Sequence, residues 1–548
     1  MTGMENPADK TTIGQIFTQN SLIIPEKPAL VWKDQRSISY GTITDISEQV
    51  AKSLIGLGID PGRFIAIWAL NEAKWLYSMG GSSMAGYPFI GLNTAYKAPE
   101  LRQVLAHSGA SVLFIGDDKT GTTSFASNIA ELCPEIYTDP PGTWRSAVFP
   151  DLQYVVSFGS TDIPGILSWD EFIKKGISID DDMLIRQASA VQPDDLALIM
   201  YTSGTTGFPK GVMHTHKNLI ASADIVSSRI RLTDTDVACI PVPFFHILGI
   251  TMAVASLWTQ GQIAIIDRFS AKDTLQTIEE CRATALYGIV SMFAFALETQ
   301  KAENFDLKSL RTGIIAGSLC PPDLVTKVIE EMGISEFVIG YGSTEAICLI
   351  ASLPDDPVAK RSDSLGTPLP GVEIRIVDGK DGTMVQQGEI GEALARSPWC
   401  MKGYYQMPEK TSEALDSLGF YHTHDMMYED SDGYFHFVGR IDDLIIRGGE
   451  NIFPKEIEQE LHTHPDVRDC AVIGIPCEYY GEEIVAFIIL KEEAKVIALE
   501  LKRYCSNTMA IHKVPSLIII VDSFPLSGTG KVQVSKLREI AFAYQENR

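Results

Sequence analysis

The densest chemistry in this chain lies in eleven residues, Tyr201-Thr-Ser-Gly-Thr-Thr-Gly-Phe-Pro-Lys210-Gly211. They follow a predicted strand. Gly204 and Gly207 let the backbone turn tightly and approach an anion closely. Exposed N–H groups and the hydroxyls of Ser203, Thr205 and Thr206 can donate to phosphate oxygens, and Lys210 adds a point charge. The string is not a Walker A loop, which needs Gly-Lys-Ser/Thr after its second glycine; here Pro209 precedes Lys210 and Gly211 follows it. A Ser/Gly-rich surface turn is the bland alternative. The composition of the whole string, behind a buried strand, favours a phosphate cradle.

Three further strings follow in order: Tyr341-Gly-Ser-Thr-Glu345, the stretch Tyr421–Arg440 with Asp425 and Gly439-Arg440, and Ser527-Gly-Thr-Gly-Lys531. Together with the loop they resemble the signatures of the adenylate-forming superfamily of acyl-CoA synthetases, peptide-synthetase adenylation domains and luciferases. The resemblance implies two half-reactions. A carboxylate attacks the α-phosphate of ATP, giving an acyl adenylate and pyrophosphate, and a thiol, usually that of coenzyme A, then displaces AMP. Both steps move negative charge at a crowded centre, where positioned cations, Mg²⁺ and N–H donors are natural catalysts.

By resemblance, Thr202, Ser203, Gly204, Thr205, Thr206, Gly207 and Lys210 cradle the β- and γ-phosphates. Glu345 is the Mg²⁺ ligand, with Thr206 as hydroxyl partner; a hard cation suits a lone carboxylate. A helix N-terminal acid is the plain alternative. Thr344 reaches the α-phosphate, beside Ser343 and Gly317. Tyr341 lies along the adenine, with Phe437 towards its other face. Asp425 and Arg440 hold the ribose, since a carboxylate can accept two hydrogen bonds from a vicinal diol; a surface ion pair is the alternative. The family has glycine before this aspartate, serving a positive-φ turn or a close approach. This chain has His424. Lys531 meets the attacking carboxylate and the α-phosphate during adenylation. Asp442 occupies the hinge position, and Arg447, Gly448, Gly449 and Glu450 swing in to line a pantetheine tunnel.

The acid is read from Phe245, His246, Ser291, Ala316, Gly317, Gly342 and Ile347. Family ligases for acetate and propionate place tryptophan at the position of Gly342. Glycine is therefore expected to leave volume for a chain or ring beyond about four carbons. His246 resembles an aromatic gate between the acyl and pantetheine channels; a partly buried core histidine is its alternative. No wall residue supplies a cation for a second carboxylate, so the substrate class is an apolar monocarboxylic acid. Asn93-Thr94-Ala95-Tyr96 and Leu132-Cys133-Pro134-Glu135 look similar to medium-chain fatty acyl-CoA synthetases. A carbocyclic or aromatic acid is the rival. A ligase loading a carrier protein, a luciferase-like oxygenase and a silent nucleotide-binding regulator are further readings. Retention of Lys531, Glu345 and the loop argues against the last. With the sequence ending at Arg548, no appended carrier domain is expected.

Buried strands are predicted at Arg63–Leu70, Ser111–Ile115, Leu196–Tyr201, Ile263–Ile266 and Phe337–Ile339. Helix-like stretches such as Ser47–Leu57, Pro99–Ser108 and Asp273–Cys281 alternate with them. This pattern argues for an α/β class with largely parallel sheets. The family implies stacked sheets with helices in a large N-terminal domain, 1–440, and a small mobile α+β C-terminal domain, 441–548. In the latter, helices are expected at Pro454–His462 and Ala498–Thr508, with strands at Asp469–Ile475, Glu483–Leu490 and Ser516–Val521. The uncharged stretch Ile247–Ile266 is read as helix, turn at Gln260–Gly261, then strand, because its polar breaks would leave backbone groups unsatisfied in lipid.

Of 548 residues, 45 are Lys or Arg and 70 Asp or Glu, a net charge of −25. Such a chain repels nucleic acid and anionic membrane surfaces. Nine cysteines with no CxxC pair suit free thiols in a reducing cytoplasm. The acidic N-terminal thirty residues do not read as a secretory signal. Three His-Thr-His tripeptides, at 214–216, 422–424 and 462–464, invite zinc, yet no HExxH or cysteine cluster accompanies them. Homodimers are common in the family.

Overall fold

The computed structural model describes residues 7–117, 125–202, 209–317, 320–379, 381–447, 450–477, 479–492, 494–526 and 532–546. The chain divides into two compact units, Met1–Glu373 with Arg396–Tyr421, and Ile374–Ala395 with His422–Arg548.

The short apolar runs of the first unit become inner strands of largely parallel sheets. Ile65–Trp68, Val112–Ile115, Ala285–Gly288 and Thr312–Ile315 are buried at every residue. Strands covered by helices on both faces need that pattern. One sheet runs, in spatial order, Thr367–Pro368, Ile350–Ala351, Glu336–Tyr341, Thr312–Ile315, Ala285–Gly288, Val237–Cys239, Gln262–Ala264, Pro28–Val31, Ser37–Ser39. Its inner members are parallel, and its edges are antiparallel. The other sheet runs Gly403–Tyr404, Lys210–Thr215, Leu196–Thr202, Phe89–Gly91, Ile65–Trp68, Val112–Ile115, Tyr154–Ser157, Ile166–Ser168.

Helices are set by local chemistry. Ser39 caps Tyr40–Gly56, and Ser270 caps Ala271–Cys281 through the Asp273 N–H. Ala98–Ser108 ends on Gly109 at φ 62, a left-handed stop that glycine adopts without strain. The stretch resembling a span is the buried helix Ile247–Trp258, a turn with Gln260 at φ 63, and the strand Gln262–Ala264. Among the described residues no helix is long and apolar enough to cross a membrane.

The second unit holds a sheet of Glu373–Val377, Gly391–Arg396, Tyr421–Glu429 and Phe435–Arg440. Its other sheet is built on the long antiparallel pair Val467–Cys477 and Gly481–Leu490, with Leu517–Ile520 parallel to the latter. Pro454–His462 and Ala498–Thr508 pack Ile457, Leu461, Leu501 and Cys505 into one core with Val472, Ile484 and Ala486. The fold is the α/β class with a large first domain and a small C-terminal domain that the sequence implies.

Candidate functional site

The strands on either side of residues 203–208 pair with each other. Leu196–Thr202 and Lys210–Thr215 pair antiparallel, with Tyr201 opposite Gly211 and Thr202 opposite Lys210. Ladder hydrogen bonds thus fix both ends of the loop. A Cβ at Gly211 would sit 3.0 Å from Ile199 Cγ2 and 3.2 Å from the Tyr201 ring, so any side chain there would crowd both. The Tyr201 hydroxyl bonds His107 Nδ1 at 2.9 Å, and burial pushes that hydroxyl's pKa up and His107's down. Ser203, Gly204, Thr205, Thr206 and Gly207 lie outside the described residues, as do Gly448, Gly449 and Lys531.

Residues 341–348 follow the strand Glu336–Tyr341 and are held from two directions. From the phosphate-loop hairpin, His214 Nε2 meets the Thr344 carbonyl at 2.7 Å. A carbonyl only accepts, so Nε2 carries the proton and Nδ1 is bare; that nitrogen is buried with no hydrogen-bond partner among the described residues. From 398–405, the Met401 N–H donates to the Glu345 carbonyl at 2.7 Å and Trp399 Nε1 to the Cys348 carbonyl at 2.8 Å. The Tyr404 hydroxyl donates to Glu345 Oε1 at 2.8 Å. Gly403 and Tyr404 in turn pair with Met213 and Val212 of the hairpin. Lys210 Nζ lies over the Tyr404 ring, 5.0 Å from its centroid. Glu345 is half-buried, and among the described residues no cation pairs with it. A half-buried carboxylate whose described partner is one neutral hydroxyl suits a hard divalent cation.

His214 carries a testable consequence. Burial pushes its pKa down from 6.5 to about 4, and His216, whose Nδ1 accepts the Ile13 N–H at 3.3 Å, is pushed down to about 4 as well. Between those values the unfolded chain holds the extra proton. Each histidine's contribution is therefore complete above pH 6.5 and is lost as pH falls towards 4, at about 1.4 kcal/mol per pH unit. Glu72, pushed up to about 7 by burial, acts in the opposite sense and releases a proton on unfolding in this range. The clean readout is a difference. His214→Gln keeps a donor for Thr344 and is expected to take up about one proton fewer than wild type on unfolding at pH 5.5. Calorimetry in buffers of different ionisation heat counts those protons, and an unchanged count would contradict the buried neutral imidazole.

Gly342 corrects an expectation. The direction in which its side chain would leave is not open: a Cβ there would lie 1.9 Å from the Ile347 carbonyl oxygen and 2.9 Å from Cys348 Cα. Glycine is required because residues 342 and 347 pass in near contact. Ile347 itself sits at φ 55, a rare conformation for a β-branched residue.

The expected acid-pocket residues come from the carboxyl ends of neighbouring parallel strands. Phe245 and His246 follow Val237–Cys239, Ser291 follows Ala285–Gly288, Ala316 and Gly317 follow Thr312–Ile315, and Ile347 follows Glu336–Tyr341. Ligands of parallel sheets bind outside such ends. Gly317 takes φ 90, which glycine tolerates. His246 caps the helix Ile247–Trp258, its Nδ1 accepting the Leu248 N–H at 3.2 Å. Asn71, buried and unforeseen from sequence, pins this loop by donating to the Val242 carbonyl at 2.9 Å and accepting the Phe244 N–H at 2.7 Å.

In the second unit Asp425 and Arg440 are opposite each other across Tyr421–Glu429 and Phe435–Arg440, with Arg440 Nε 3.2 Å from Asp425 Oδ1. Phe437 lies on the same strand as Arg440, half-buried. His424 takes φ 57 and is exposed, so the backbone needs the turn for which glycine is the unstrained choice. Asp442 lies in the short helix Ile441–Asp443, and Arg447 is opposite Glu450 at the mouth of a hairpin. Arg447 Nη1 donates to the His512 carbonyl at 2.9 Å.

Tyr404 and Asn71 are the residues that sequence reading missed, and His214 drew attention only as half of a His-Thr-His pair. Each acts through a contact between segments far apart in the chain, and no local spacing marks that contact.

A family model described as AMP-binding enzyme matches residues 18–405, and one described as AMP-binding enzyme C-terminal domain matches residues 456–531. Putative acyl-CoA synthetase YngI of Bacillus subtilis is 37% identical over 532 residues, covering 96% of this chain and 97% of that protein. Human medium-chain acyl-CoA ligase ACSF2, mitochondrial, is 32% identical over 538 residues, covering 96% and 87%. The solved structure of the anthranilate CoA ligase AuaEII in complex with anthranoyl-AMP aligns with TM-score 0.83 at 28% identity, covering 97% of this chain and 98% of that one. The chain belongs to the AMP-binding enzyme family, among its adenylate-forming acyl-CoA synthetases.

Proposed function

We propose that the enzyme joins an apolar monocarboxylic acid, foremost a medium-chain fatty acid, to coenzyme A through an acyl-AMP intermediate, releasing AMP and pyrophosphate. The observation that carries this reading is the wall set itself. Phe245, Ala316, Gly317 and Ile347, with the neutral Ser291, gather at neighbouring strand ends and bring no cation for a second carboxylate. The similarity to medium-chain acyl-CoA ligases supports the chain length. An aromatic acid is the second reading, favoured by the likeness to an anthranilate CoA ligase.

In this reading Lys210 and the loop before it hold the β- and γ-phosphates, and Thr344 holds the α-phosphate. Tyr341 and Phe437 flank the adenine, and Asp425 with Arg440 holds the ribose. Glu345, with Thr206, would hold Mg²⁺, which when bound neutralises charge developing on the phosphates. Lys531 steadies the attacking carboxylate. The small domain, 441–548, turns about Asp442 between the half-reactions, and Arg447–Glu450 then lines the thiol's path. The cysteines suit a reducing cytoplasm.

Pyrophosphate release with Mg-ATP is measured over acids from acetate to palmitate, plus benzoate and cyclohexanecarboxylate, each with and without CoA. The expected result is CoA-dependent turnover that peaks at a medium chain, with neighbouring lengths competing, since a methylene is worth only about 1–3 kcal/mol in such a pocket. A maximum at benzoate would replace the acid class. A single CoA-independent burst would point to a carrier-protein acceptor instead.

A further inference from the structure

We infer that Tyr404 is a positioning residue for adenylation: it holds Lys210 and Glu345 apart and fixes which carboxylate oxygen is left for the divalent cation. The inference rests on the proposed metal role of Glu345.

An ammonium and a carboxylate in one partly buried site attract each other. Left to themselves they would close into an ion pair, which the nucleotide and its cation would then have to break. Tyr404 lies against both groups. Its ring faces Lys210 Nζ at 5.0 Å, and its hydroxyl donates to Glu345 Oε1 at 2.8 Å. Each charge therefore has a neutral contact. A carboxylate only accepts, so the tyrosine hydroxyl is the donor of this pair. Its place is set by the pairing of Gly403 and Tyr404 with Met213 and Val212, in the strand that begins at Lys210. The Glu345 main chain is fixed separately by Met401. Only the carboxylate's rotation is left for Tyr404 to decide, and its bond to Oε1 leaves Oε2 without a hydrogen-bond partner among the described residues.

Tyr404→Phe keeps the ring and removes one oxygen atom. Mn²⁺ binding, read by electron paramagnetic resonance in the presence of a non-hydrolysable ATP analogue, is compared among wild type, Tyr404→Phe and Glu345→Gln. The expected result is weaker Mn²⁺ binding in both variants, about tenfold for Tyr404→Phe, with the thermal midpoint of Tyr404→Phe near wild type. Tyr404→His, which returns a donor to this position, is expected to recover part of the affinity. A purely structural role would lower the midpoint and leave Mn²⁺ affinity unchanged. Weaker binding in Glu345→Gln with wild-type binding in Tyr404→Phe overturns the inference and leaves the Glu345 role standing. Wild-type binding in Glu345→Gln removes that role, and the inference falls with it.

Discussion

Replacing Lys531 with alanine is expected to slow acyl-adenylate formation by roughly 10²–10³, or about 3–4 kcal/mol of transition-state stabilisation. Thioester formation from a supplied acyl adenylate should be spared. The asymmetry follows from where charge moves. In the proposed first half-reaction an anionic acid approaches an anionic phosphate, and the Lys531 cation would offset repulsion that peaks at the transition state. In the second the nucleophile is a thiol and the acyl carbonyl is already activated, so the proposed role of Lys531 is finished. Pyrophosphate exchange reports the first step, and thioester yield from synthetic acyl adenylate the second. Equal losses in both would remove Lys531 from its assigned step.

The second large effect is at Gly342. Even alanine would place a Cβ 1.9 Å from the Ile347 carbonyl oxygen, and backbone cannot turn aside as a flexible side chain can. Gly342→Ala is expected to cost on the order of 3 kcal/mol, the upper part of the usual range for overpacking. Gly342→Trp is expected to displace residues 347–348 rather than convert the enzyme to acetate. Denaturant unfolding of the alanine variant, alongside its KM for acetate and octanoate, tests this. A stable tryptophan variant with a new preference for acetate would restore the view of Gly342 as an unfilled volume.

The successes of sequence reading and its error at Gly342 have physical causes. Pro454–His462 and Ala498–Thr508 are helices to the residue, because proline at the start of one and Glu500 in the first turn of the other mark their beginnings. His424 stands where the family has glycine, and its φ of 57 is the turn that glycine would serve. Gly342 was misjudged because a missing side chain implies space only if no backbone fills it, and backbone paths are not written in residue types. The bond from the Leu248 N–H makes His246 a helix cap as well, a role no sequence signal gave, since histidine is not among the residues that advertise a cap. Tyr404 reaches Glu345 across 59 positions and His214 reaches Thr344 across 130. Contacts of that span arise from sheet topology, which local patterns do not encode.

The strand Lys210–Thr215 pairs with Leu196–Thr202, meets the segment 341–348 through His214 and holds the Gly403–Tyr404 edge through its ladder. It serves as a common datum from which three remote motifs are measured. The walls expected to meet the acid hang from other strands, so insertions there change the cavity without moving this datum. A single-residue deletion between 210 and 215 would do the reverse. With a side-chain period of two, a deletion before 214 would turn His214 to the opposite face and release the segment 341–348 from this strand, while the walls that follow Val237–Cys239, Ala285–Gly288 and Thr312–Ile315 keep their own anchors.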